Sequence, residues 1–372
     1  MDYQSFFNNK KITVMGLGLL GRGLGDVKFL AECLSACNDA QAGGADLLVT
    51  DLKTEEELQT SVAQLEGFSN IQFVLGEHRL EDFRDRDFIL KAAGVPRDSI
   101  YIAEARKNNI PIEMSASLML KLAGIRSIGV TGTRGKSTVT KLINHVLERE
   151  GYQTLLGGNI RGVATLPLLQ EVTDDSVAVL ELDSWQLQGF GESGLSPNIA
   201  VFTTFMRDHM TYYHHDMEAY FTDKAQIFLH QKDTDVLVIG SEVFDEFGQW
   251  IPEKDKERAV VVDAGKVPED WSVPIPGEHN RHNVACALAA LRVHGLSDEQ
   301  IKAGIETFPG VEGRLQYMKE IAGVKWYNDN NATAPGATIA ALQALDVGNQ
   351  NVVLICGGVS KSLDMSGLVL EI

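Results

Sequence analysis

The loop TGTRGKST, residues 131–138, limits this chain more than any other feature. A short apolar run, SIGVTG (127–132), leads into it. After it, Val139, Leu142, Ile143, Val146 and Leu147 recur at helical spacing. A strand that breaks at glycine and continues as a helix aims backbone N–H groups and the positive end of the helix dipole at one point. Gly132 and Gly135 allow that inward turn without a Cβ clash. Lys136, at the helix start, can then reach the β- and γ-phosphates of ATP, and Ser137 or Thr138 offers a hydroxyl to Mg²⁺. Only two residues separate Gly132 from the following Gly-Lys, against four in the usual P-loop, so the loop is a variant. An ordinary strand–turn–helix connection is the competing reading. A lysine at that point of an amphipathic helix disfavours it.

The rest of the chain alternates apolar strands with polar helical stretches. KITVMG (11–16), ADLLVTDL (45–52), IQFVLG (71–76), DFILKAAG (87–94) and PIEMS (111–115) read as strands of one parallel α/β unit. SIGVTG, SVAVLEL (176–182), NIAVFTT (198–204) and DVLVIG (235–240) read as buried strands of a second unit, with helices over 137–149 and 281–293. PGVEGR (309–314) is a glycine–proline break. GVKWYND (323–329), a helix near 336–345 and NVVLICGG (351–358) then restart the βαβ rhythm. The 372 residues are too many for one ordinary core. We expect three units, 1–122, 123–309 and 310–372, the last too short for an independent α/β domain and therefore incomplete.

A net charge of −18 disfavours wrapping a nucleic-acid backbone or an anionic membrane. It does not oppose a small phosphorylated ligand, which local amides and one lysine attract. No apolar run is long enough to span a membrane, and MDYQSFFNNKK has neither an apolar core nor a cleavage-site pattern. A cytoplasmic protein is expected. Cys33, Cys37, Cys286 and Cys356 read as thiols in a reducing compartment. Cys33 and Cys37 stand four apart, as half a zinc site would, but no matching His/Cys pair is near them.

The loop resembles the TG-T/S-x-GK-S/T loop of the Mur ligases and folylpolyglutamate synthases. Further segments match in the same order: GGNIRG (157–162), LELDSWQL (180–187), DHMTYY (208–213) with AYFTDKAQIF (219–228), GEHNRHNVACALAA (277–290), WYNDNNAT (326–333) and GGVSKSLD (357–364). The resemblance covers most of the chain from Lys11 onward. It implies a Rossmann-like N-terminal domain, a central P-loop ATPase domain with a parallel sheet, and a Rossmann-like C-terminal domain. It also implies an ATP- and Mg²⁺-dependent ligase of peptidoglycan precursor synthesis. The implied substrates are UDP-N-acetylmuramoyl-L-alanine and D-glutamate, joined through an acyl phosphate, and the expected state is a monomer.

Residue by residue, the resemblance implies an ATP site of Gly132, Thr133, Arg134, Gly135, Lys136, Ser137 and Thr138. Asn280 and Asn283 would face adenine, and Arg314 and Asp329 would reach ATP from the third domain. Lys136, Glu181, His209 and Lys224 form the implied catalytic set. Ser137, Glu181, His209 and Lys224, the last if carbamylated, would surround magnesium. Asn159 and Lys361 would hold substrate. Apart from the family, Glu181 at a strand end suits a ligand site of a parallel sheet, though a buried carboxylate satisfied by amides would look the same. Alone, His209 reads as a surface histidine and Lys224 as a solvated helix lysine.

This chain also departs from the family pattern. Arg134 stands where Asn is usual, Thr204 and Arg207 replace Asn and Glu, Asn331 replaces Lys, and Ser360 replaces Asp. GLGLLG (16–21) fits a dinucleotide turn, but its acidic candidate Asp51 lies 30 residues past Gly21 rather than about 20. In the family the equivalent turn takes the UDP moiety, with Gly18, Leu19 and Leu20 near the diphosphate and Asp51 near uracil. A plain tight turn is the competing reading. Three alternatives stay open: a folylpolyglutamate-type ligase, a non-catalytic nucleotide-binding relative, and a nicotinamide dehydrogenase resting on the first turn alone.

Overall fold

The computed structural model describes residues 2–19, 21–36, 47–345, 352–358 and 363–372. Five short apolar runs form the first sheet: β1 (Ile12–Met15), β2 (Leu47–Asp51), β3 (Ile71–Leu75), β4 (Phe88–Lys91) and β5 (Ile112–Glu113). All pairings are parallel, in the order β3-β2-β1-β4-β5, a doubly wound arrangement. Helices cover both faces, so the central strands are buried along their length and mostly apolar. Ile12 and Val14 pack with Val27 and Leu30 on one side, while Met15 and Ile89 pack with Ile102 and Ala105 on the other.

The second sheet contains β6 (Arg126–Thr131), β7 (Thr154–Gly158), β8 (Val177–Glu181), β9 (Ile199–Phe202), β10 (Val236–Gly240) and β11 (Val260–Val262). It is also parallel, in the order β11-β10-β9-β6-β8-β7. Alternate residues of β8 face opposite layers. Val177 and Val179 pack with helices Lys136–Arg149 and Glu278–His294, whereas Ala178 and Leu180 pack with helix Ser184–Glu192. Val139, Leu142, Ile143, Val146 and Leu147 are all fully buried. Each such side chain contributes about 1.5–3 kcal/mol before entropy is counted, which is what seats the helix after the loop.

Strand register places the functional segments. Val130 and Gly158 both pair with Glu181, and Thr131 pairs with Phe202. The glycine loop after β6, the carboxylate ending β8, Asn159 after β7 and Thr203 after β9 therefore share one sheet edge. β6 sits where the chain reverses its direction of travel across the sheet, where ligand crevices open.

The two sheets are joined by close contact. A Cβ on Gly25 would lie 2.5 Å from Cβ of Ala164. Apolar residues of both sheets form one continuous cluster. No described helix is long and apolar enough to cross a membrane.

Beyond residue 309 the expected βαβ rhythm is corrected. β12 (Gln316–Ile321) and β13 (Val324–Asn328) form an antiparallel hairpin. Ala322 and Gly323 both have positive φ, +49° and +78°, the backbone of a tight two-residue hairpin turn, so β13 pairs with its immediate neighbour. The expected helix is present as Pro335–Leu345. The described residues 352–358 form no strand, and Val353 and Ile355 are exposed.

Candidate nucleotide and substrate site

The loop after β6 is built around two glycines that no other residue could replace without rearrangement. Gly132 has φ +146°, and a Cβ there would lie 2.1 Å from Thr203 Oγ1. Gly135 has φ +84°, and its Cβ would lie 2.3 Å from Asn283 Oδ1. Thr204 staples the loop from the end of β9. Its carbonyl accepts the Thr133 N–H at 2.7 Å and its hydroxyl accepts the Arg134 N–H at 2.9 Å. Two amides expected to face phosphate are therefore engaged by the replaced residue Thr204. The first turn of helix Lys136–Arg149, with Ser137 and Thr138, retains N–H groups that have no intrahelical acceptor.

Two lysine side chains meet at one carbonyl. Lys136 Nζ donates to Gly132 O at 2.8 Å and to Thr133 O at 3.2 Å. Lys224 Nζ donates to the same Gly132 O at 2.9 Å and lies 5.0 Å from the Tyr220 ring centre. Burial pushes Lys224 well below its ordinary pKa, and the charge of Lys136 adds to the effect. Burial also lowers Lys136, with Glu181 and Asp183 opposing. Lys224 is thus a buried amine rather than the solvated helix lysine that its sequence alone suggests, being 1% exposed.

Glu181 is buried at the end of β8, and its side chain accepts from Asn159 Nδ2 at 3.3 Å. The Asn159 N–H donates to Glu181 O at 2.7 Å, and Arg22 donates to Asn159 Oδ1 at 2.7 Å. Arg22 follows the first glycine turn, so that turn, Asn159 and Glu181 form one chain of contacts. His209 has φ +55°, an unusual backbone state for histidine. Its ring packs on Trp185 at 4.8 Å and on Tyr220 at 6.1 Å. Burial lowers its pKa, Asp208 opposes, and Lys224 and Lys136 add to the lowering. The geometry therefore brings Lys136, Glu181, Lys224 and His209 to one mouth.

The remaining expected residues divide. Arg314 Nη2 donates to Ser137 Oγ at 3.2 Å, bringing the end of the 309–314 break to the loop. Asp329 is held back from the loop, accepting the Leu315 N–H at 2.8 Å. Asn280 and Asn283 are buried, and Asn283 Nδ2 donates to Asn280 Oδ1 at 3.1 Å beside Gly135. At the first turn, the Asp51 carboxylate accepts from the Gly18 and Lys53 N–H groups at 3.0 and 2.9 Å. It therefore closes the turn, and Leu19 is exposed beside it. Leu20, Cys37 and Lys361 lie outside the described residues. Arg22 and Thr203 belong to no chemical motif of the sequence, Asp183 carries no role of its own in LELDSWQL, and Thr204 stands there only as a departure from the family pattern. For Thr203 and Thr204 the available signal was their place just past a buried strand.

Among the described residues no three His, Cys, Asp or Glu side chains gather into a ready cation cage. The donors at the mouth are one buried carboxylate, Glu181, and hydroxyls including Ser137. That sparse oxygen set suits Mg²⁺, which keeps waters and phosphate oxygens among its ligands.

Residues 130–270 match the Mur ligase middle domain. A UDP-N-acetylmuramoylalanine–D-glutamate ligase from Roseiflexus sp. (strain RS-1) is 36% identical over 393 residues, covering 98% of this chain and 81% of the relative. The chain belongs to this ligase family. The ligase of the same name from Clostridium kluyveri (strain ATCC 8527) is 30% identical, covering 100% of this chain and 80% of its own length. Among solved structures, UDP-N-acetylmuramate–alanine ligase MurC of Thermotoga maritima has the same fold, with a TM-score of 0.54 at 21% identity, covering 90% of this chain and 77% of that one. The expected family and α/β fold class are thereby established for this ligase.

Proposed function

We propose that this ligase joins D-glutamate to UDP-N-acetylmuramoyl-L-alanine at the expense of ATP, with Mg²⁺, as a cytoplasmic monomer divided into units at 1–122, 123–309 and 310–372. The observation that carries the reading is the meeting of Lys136 and Lys224 at Gly132 O, beside Glu181 and His209. A carboxylate is a poor acylating agent. Its oxygen attacks the γ-phosphate of ATP, giving an acyl phosphate and ADP. The amine of the amino acid then attacks the carbonyl, and the carboxylate-derived oxygen leaves with phosphate.

The residues divide that work. Lys136, turning from the loop carbonyls to phosphate, balances charge on the transferred phosphoryl group. The first-turn amides after Gly135 orient it. Glu181 and Ser137 would hold Mg²⁺, which when bound neutralises phosphate charge. Lys224, buried and lowered in pKa, is suited to react as a neutral amine with CO₂, giving a carbamate and a proton, as the family resemblance implies. Asn159, tied to Arg22, faces the sugar-phosphate side. Arg314 brings the third unit over the loop and shields the acyl phosphate from water.

Phosphate release with ATP and UDP-N-acetylmuramoyl-L-alanine, with D-glutamate, L-lysine and meso-diaminopimelate supplied in turn, tests this. Release stimulated by D-glutamate alone is expected. Release that no amino acid stimulates would return the non-catalytic reading.

A further inference from the structure

Asp223, one residue before Lys224, is 2% exposed and has no part in the chemistry above. Its carboxylate joins three separate segments. Oδ1 accepts from Arg97 Nη1 at 2.7 Å, across 126 residues of sequence. Oδ2 accepts from Gln188 Nε2 at 2.8 Å and from the Tyr213 hydroxyl at 3.1 Å. Gln188 lies on helix Ser184–Glu192, which follows Glu181 directly. Tyr213 lies in the turn after His209, and its N–H donates to His209 O at 3.2 Å. Arg97 belongs to the first sheet's unit, and Lys91, the last residue of β4, reaches the same network, donating from Nζ to Gln188 Oε1 at 3.4 Å. The Gln188 amide also donates to the Tyr212 hydroxyl at 3.0 Å.

We propose that Asp223 is a positioning residue that holds the Lys224 helix, the helix after Glu181 and the His209 segment in one frame and ties that frame to the first sheet through Arg97. A side chain that merely filled space would need no such convergence. A buried carboxylate with a cation and two donors fixes direction, because each lost partner leaves charge or a polar atom uncompensated. The inference rests on the functional reading above, since it assigns Asp223 to the same site.

The test uses the full chain. Asp223→Asn keeps the side chain's shape but sets an amide against Arg97. Arg97→Ala removes the cation from a half-exposed position and leaves Asp223 its Gln188 and Tyr213 donors. Asp223→Asn is expected to lower kcat by about thirtyfold and Arg97→Ala by about fivefold, with KM for ATP within twofold of wild type. The double variant should be no slower than Asp223→Asn alone, because both cut one link. A second readout requires no turnover. Trp185 packs on His209 and Tyr212, so its fluorine resonance in 5-fluorotryptophan protein, assigned with Trp185→Phe, should shift in both single variants. Unchanged resonance and kcat in both, or effects that multiply in the double variant, overturns the proposal. A wild-type chain without D-glutamate-dependent release overturns the functional reading instead, and the fluorine measurement still decides whether Asp223 sets the frame.

Discussion

Asp26 offers a perturbation whose size follows from the structure. It lies on helix Arg22–Ala36, 5% exposed, where the first sheet's unit meets the second. Its Oδ1 accepts the Leu166 N–H at 2.9 Å and its Oδ2 accepts the Ser115 hydroxyl at 2.5 Å. Burial nevertheless raises its pKa from 3.8 to about 6, with those hydrogen bonds and Arg22 opposing. The folded chain therefore holds this proton more tightly than the unfolded chain. The stability this gives is complete below pH 3.8 and is lost as pH rises through about 6. The rise corresponds to about 3 kcal/mol. Asp26→Asn keeps an acceptor for Leu166, lets Ser115 accept instead of donate, and does not titrate. The stability of the variant relative to wild type should thus climb by about 2 kcal/mol between about pH 4 and pH 7.5. Urea unfolding of both proteins at a series of pH values measures that difference, and carboxyl-carbon NMR of labelled aspartate reads the pKa itself. A difference that stays flat with pH, or an Asp26 that titrates near 4, would refute the reasoning.

Three further outcomes follow from the loop. Gly132→Ala combines an adverse φ with a clash at Thr203 and should weaken ATP binding at least tenfold by calorimetry, whereas unchanged affinity would show that the cradle is not the nucleotide site. Thr204→Val removes the acceptor for the Arg134 N–H and should weaken ATP binding about fivefold, as the loss of about 1 kcal/mol requires. Lys136→Ala should abolish ATP-dependent phosphate release while circular dichroism is unchanged. Product formation at the wild-type rate would reject its assignment to phosphate.

Strands buried on both faces were legible because their polar residues are few and stand mostly at the strand ends, as Asp51, Lys91 and Glu181 do. β1, β2, β4, β6, β8, β9 and β10 all read as apolar runs. β7 carries no strand signal in the sequence because it is short and ends in Gly157 and Gly158, where a Cβ on Gly158 would meet Glu181 O at 2.2 Å. β11 has three residues, and β12 is largely exposed with Lys319 and Glu320 in it, so neither carries a period. Lys136 and Glu181 were legible because their chemistry follows from position on a strand or helix end. Thr204, Arg22 and Asp223 were not, since each acts on a residue 70, 137 or 126 positions away, a pairing that only the folded register creates.

An isotope experiment addresses the central claim directly. UDP-N-acetylmuramoyl-L-alanine labelled with ¹⁸O in its carboxylate is turned over with ATP and D-glutamate, and the released phosphate is weighed by mass spectrometry. If the loop around Lys136 hands the γ-phosphoryl group to that acid, each phosphate formed carries one ¹⁸O. Unlabelled phosphate formed alongside amide product would contradict it.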